Sequence, residues 1–137
     1  MLQKNSPFGQ NKIIAKIIIA LAISSIQVAA CFLLYFLVLH IANIPKSNIS
    51  WGLGVHYWLN IQIGLAIVAN ISLLLLRKKS THILILFIEL LFFFIYWESA
   101  IFIHPYRVSL LFFCTLYGII ISYPLIYVAK NKYNKKM

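Results

Sequence analysis

Two glutamates, Glu89 and Glu98, are the only acidic side chains of the chain, and both fall inside one apolar run, Thr81 to Arg107, THILILFIELLFFFIYWESAIFIHPYR. A carboxyl group at membrane depth is costly enough that it turns toward a helix-bundle interior or a wet cavity, so these residues fix which faces of the segment look inward. Counted from the near end of the run at ~1.5 Å per residue, Glu89 stands roughly 10 Å inside the hydrocarbon. The same count along the other apolar runs brings Ser24, Ser25, Asn70, Ser122 and Tyr123 to that level. An intramembrane polar layer of this kind has two chemical readings. In one, Glu89 is a titrating group that binds a proton or cation. In the other it is a neutral carboxylic acid bonded to Asn70 and a hydroxyl, and its work is to join helices. The second reading carries more weight.

Glu98 lies about half a helical turn around from Glu89 and ~13 Å further along, so the two carboxyls cannot work as a dyad. It belongs to an outer level shared with His40, His56, His104 and Arg107. Histidines with a carboxylate suggest a divalent metal site or a pH-sensitive gate. No ligand spacing joins these residues, and an ion pair of Glu98 with Arg107 or a lone interfacial role is the stronger expectation. A b-type haem between His40 and either His56 or His104 is disfavoured by the Phe, Tyr and Leu that crowd those segments. Neither a metal nor a cofactor is expected. Gln27, Asn60 and Gln62 are further mid-membrane amides, expected to bond one another or a neighbouring backbone at about 1 kcal/mol each at most. Cys31 and Cys114 sit in apolar runs in no redox or ligand spacing, and read as small buried side chains. The chain has no Asp, no Gly-x-Ser-x-Gly and no His-Glu-x-x-His, and its one Gly-x-Gly, at Gly52 and Gly54, opens a helix rather than following a strand. The expectation is a protein that is not an enzyme.

The elements that carry these residues follow from composition. With 63% hydrophobic and 10% charged residues and a mean hydropathy of +0.93, the chain is far from a soluble domain, where charged residues are about a quarter. The apolar residues come in four blocks long enough to cross a bilayer, about 13–42, 53–76, 82–103 and 108–129. The first lacks a small-residue cleavage site and reads as a span, not a removable signal. Asn43 to Gly52, NIPKSNISWG, is rich in turn formers, Arg77-Lys78-Lys79 closes the second block, and Pro105 ends the third. Pro124 is expected to kink the fourth or open its last turns. The fold class expected is an all-α membrane protein of one domain, four transmembrane helices in an up-down-up-down bundle. Orientation follows from the basic residues. With both termini cytoplasmic, Lys4, Lys12, Lys16, Arg77, Lys78, Lys79, Lys130, Lys132, Lys135 and Lys136 lie inside, against Lys46 and Arg107 outside. Trp51, Tyr57, Trp58, Trp97 and Tyr106 would form an outer aromatic belt. The net charge of +10 thus reads as topology and lipid contact, and nucleic acid is not an expected partner.

Five glycines are few for an alternating-access transporter, which breaks its helices near the midplane. The bulky surface, including Leu90 to Ile95 as LLFFFI, looks suited to lipid or to other transmembrane helices. Size, four spans, short loops and basic cytoplasmic ends are similar in layout to the immunity proteins that protect bacteria from pore-forming or membrane-inserting toxins. That likeness implies a small non-enzymatic inner-membrane protein that binds another membrane-embedded protein, with the outer loops, Lys46 and Trp51 among them, facing the partner. Two alternatives stand beside it. One is a small oligomeric transporter or channel subunit with Glu89 and Asn70 as its site. The other is an accessory subunit of a larger membrane complex. The Lys, Asn and Ile abundance fits an AT-rich coding sequence, and a bacterial inner membrane is the expected location.

Overall fold

The computed structural model describes residues 7–42, 49–76 and 78–134, with side chains over 11–42, 52–76 and 78–132. The described residues form four helices: α1 (Pro7–Ile41), α2 (Ile49–Leu75), α3 (Lys79–Ile103) and α4 (Pro105–Asn134). Each is long and apolar enough to cross a membrane, the makeup of a multi-pass membrane protein. All four begin earlier in the chain than the apolar blocks alone suggest. Polar residues at the ends extend a helix at little cost once the apolar centre has formed it.

The connection from α3 to α4 is a single residue. His104, at φ −133° and ψ 59°, donates its N–H to Ala100 O, and its own carbonyl accepts the first bond of α4 from Val108 N at 3.1 Å. Pro105 then opens α4, where its missing N–H costs nothing because that donor has no helical acceptor. The stretch His104 to Arg107, expected as an outer turn, is therefore mostly helix. Pro124 does not open α4, which stays α-helical to Asn134 although Ile120 O loses its usual donor.

Each helix packs against its sequence neighbours, and α4 closes against α1. The α1 backbone lies close to α4 and α2, whereas α3 stands further off, and no described Cα of α1 comes within 8 Å of α3. Small residues explain the close pairs. A Cβ on Gly118 of α4 would stand 2.8 Å from the Gln27 carbonyl oxygen of α1, and Ala20, Ser24, Ala66 and Ala69 are buried between α1 and α2.

Two apolar clusters fill the interior. One gathers Ala20, Ile23, Leu73, Leu74 and Ile126. The other holds Cys31, Tyr35, Trp58, Phe93, Trp97, Val108, Leu111 and Cys114. Trp58 packs edge-on to Phe93 at 5.2 Å between ring centroids and lies 6.5 Å from Trp97. Trp58 and Trp97 are thus core residues rather than parts of an interfacial belt, whereas Tyr57 and Tyr106 are exposed. Most of the buried polar side chains fall between these two clusters; His82, at the start of α3, does not.

Candidate functional site

The polar layer is built from stripes on three helices. Ser24 and Gln27 are three apart on α1, and Gln62, Ala66 and Asn70 recur every four residues on α2, so each set projects from one helix face. Ser24, Gln27, Gln62, Asn70 and Glu89 are all buried to 3% exposure or less. Ser24 Oγ donates to Ala20 O at 2.8 Å within its own helix and reaches Ala66 O of α2 at 3.1 Å. Asn70 Nδ2 donates to Ser24 Oγ and to Gln27 Oε1, both at 2.9 Å. Gln27 Nε2 in turn donates to Glu89 Oε1 at 2.8 Å, and Gln62 Nε2 reaches the same oxygen at 3.3 Å. One carboxyl of α3 is thereby tied to α1 and α2. The Gln27–Glu89 bond crosses the wide diagonal of the bundle, where only long side chains meet.

Three residues expected in this layer stand outside the network. Ser25 is exposed and bonds Leu21 O one turn back. Ser122 is buried but bonds Ile119 O of its own helix. Tyr123, adjacent to Ser122 and so about 100° around α4, is 38% exposed, and its ring lies 6.5 Å from that of His82. Depth alone put all three beside Glu89; helical phase turns them away. Asn60 is exposed and bonds His56 O on its own helix, as a lone amide does. Gln27 and Gln62 do not bond each other; each donates its Nε2 to Glu89 Oε1 instead.

Of the outer residues, His104 and Arg107 line one groove. Glu98, His40, His56 and His104 are exposed and Arg107 is half-buried. Among the described residues no three of His, Cys, Asp and Glu come together as a metal would require. A groove of about 540 Å³ runs past His104, Tyr106 and Arg107 to Val38, and its walls are mainly apolar side chains. Lys46 lies outside the described residues, as does the side chain of Trp51, whose backbone is in α2.

At the end of the bundle where α2 stops, a second polar group forms that residue spacing did not disclose. Lys130 Nζ of α4 donates to the Leu73 carbonyl at 3.3 Å and to that of Leu76, both at the C-terminus of α2. His82 Nε2 lies 2.9 Å from Leu76 O and 3.2 Å from Lys130 Nζ. A cation at a helix C-terminus satisfies carbonyls left without intrahelical donors and complements the dipole. Only the run of basic residues hinted at Lys130.

What the central layer can do chemically is limited by its enclosure. A groove of about 410 Å³ between α1 and α2 touches Ser24 and Ser25 but is otherwise lined by apolar residues such as Leu21, Phe32 and Ile63, and Glu89 is not part of its lining. Among the described residues, the side chains that hydrogen-bond Glu89 are both uncharged amides. Compared with protein-family models, curated proteins and solved structures, the chain matches none.

Proposed function

We propose that the chain is a small non-enzymatic inner-membrane protein of bacteria that binds another membrane-embedded protein, similar in layout to immunity proteins against membrane-active toxins. Its helices run up-down-up-down with both termini cytoplasmic. The positive-inside count supports the orientation. The packing supports the alternation, since Ala20 and Ile23 early in α1 meet Leu73 and Leu74 late in α2, and Ile126 late in α4.

The observation that carries the reading is that the buried carboxyl is occupied by amides of its own bundle while many large apolar side chains of α3, Phe93 and Trp97 apart, point outward. Phe87, Leu91, Phe94, Ile95 and Phe102 are all exposed, and α3 is the helix held furthest from its neighbours. A surface rich in large aromatic and aliphatic groups offers van der Waals contact to another helix, and van der Waals packing is one of the forces that join helices in lipid. The outer residues Lys46 and Trp51 would add contacts at the membrane surface.

The test is Glu89→Gln in the native host, with growth, membrane potential and tolerance of a co-resident membrane-active toxin measured in the same cells. Tolerance should persist, because the amide keeps the interior joined. Loss of an ion-linked activity from a chain that still inserts would replace this reading with that of a transporter or channel subunit.

A further inference from the structure

The two hydrogen bonds that Glu89 accepts both fall on Oε1. An ionised carboxylate offers about four acceptor sites shared over two oxygens and, when buried, calls for a cation or several donors. Glu89 is 3% exposed, yet among the described residues no Lys, Arg or His bonds to it. The titratable side chain that faces it from α1 is Cys31, a thiol that brings no positive charge. The pattern is that of a carboxylic acid, whose carbonyl oxygen accepts while its hydroxyl oxygen donates.

A donor at that place has an acceptor waiting. Gln62 is 2% exposed, and its Oε1 is buried without a hydrogen-bond partner among the described residues. An orphaned amide oxygen in a dry interior is costly, because it has given up water and gained no donor. The same amide already donates Nε2 to Glu89 Oε1, which keeps its unpartnered oxygen, two bonds from that nitrogen, in the neighbourhood of the acid group. Exchanging the nitrogen and oxygen of Gln62 also calls for a protonated acid, then with its proton on Oε1, because two oxygens would face each other and one of them must carry hydrogen.

We propose that Glu89 and Gln62 form a proton-binding site, in which Glu89 Oε2 holds a proton and donates it to Gln62 Oε1 while Gln62 Nε2 donates to Glu89 Oε1. The product is a cyclic acid–amide pair that fastens α3 to α2. The bond from Gln27 then polarises the acid carbonyl from the far side of the bundle. The site is independent of the partner-binding reading, since the proton serves the fold whichever protein the surface meets.

The chain suits infrared spectroscopy, because Glu89 and Glu98 are its only carboxyl side chains. The full chain in alkyl maltoside micelles, which carry no carbonyl group, should show one protonated-carboxyl C=O stretch near neutral pH. Glu89→Gln should abolish it and Glu98→Gln should leave it. Gln62→Leu should move it to higher frequency, since the acid loses its acceptor. Removal of carboxylate bands instead of the acid band by Glu89→Gln would overturn the proposal, as would an acid band that stays in place in Gln62→Leu. Should Gln62→Leu fail to insert, thermal unfolding of Glu89→Gln decides. Its carboxamide presents an N–H where the acid presents O–H, so the midpoint should hold or rise, and a fall contradicts the proposal.

Discussion

At the residue scale, burial and pairing separate side chains that look alike in the sequence. Asn70 and Ser25 are both polar residues at membrane depth, but Asn70 spends both amide hydrogens on Ser24 and Gln27, whereas Ser25 bonds only its own helix. Asn70→Ala should therefore destabilise the bundle by about 1–2 kcal/mol, near the upper end for interhelical hydrogen bonds in lipid. Ser25→Ala should stay within about 0.5 kcal/mol. Chemical unfolding in detergent micelles compares the two. Gly118 makes a sharper case, because an added methyl would meet backbone at 2.8 Å rather than a side chain that can turn aside. Gly118→Ala should cost about 1–3 kcal/mol as an overpacking change and, by displacing Gln27, weaken the bond to Glu89. The sequence disclosed Glu89 and Asn70 because a carboxyl or amide in an apolar run is conspicuous. Gln27 and Gln62 were visible as residues, but their shared acceptor was not, since the partners are 62 and 27 positions away.

At the scale of the element, the four helices were legible because a bilayer requires about 20 apolar residues in a row and each block meets that requirement. Their ends were less so. The turn expected at His104 to Arg107 shrinks to one residue because Pro105 suits the first position of a helix as well as it ends the previous one. The burial of Trp58 and Trp97 escaped the sequence reading for a related reason: an aromatic near a span end serves equally as a belt or as a core residue, and only α2–α3 packing decides. The Lys130 contact belongs to this scale too, since it joins the end of α2 to α4 through helix-terminal carbonyls. Lys130→Met should loosen that joint by roughly 0.3–1 kcal/mol, the usual worth of a cation at a helix C-terminus. Hydrogen exchange should then quicken in the last turn of α2 and not around Trp58.

At the scale of the whole molecule, a closed polar interior is wrapped in an apolar exterior. The orientation proposed for it can be read with single cysteines, because Cys31 and Cys114 are buried and contribute little background. A membrane-impermeant thiol reagent on intact cells should label Tyr106→Cys, at a position 89% exposed, and should leave Lys132→Cys unlabelled until the membrane is opened. Labelling in the opposite order would invert the proposed topology.

The outward face of α3 is proposed to meet another membrane protein. That proposal is tested most directly by placing a photoreactive amino acid at Phe94, which is exposed, and at Ile126, which is buried, and irradiating living cells that carry the native partner genes. The account predicts a discrete adduct with a second membrane protein from position 94 and none from position 126. Adducts from position 94 confined to lipid, or to further copies of this chain, would contradict it.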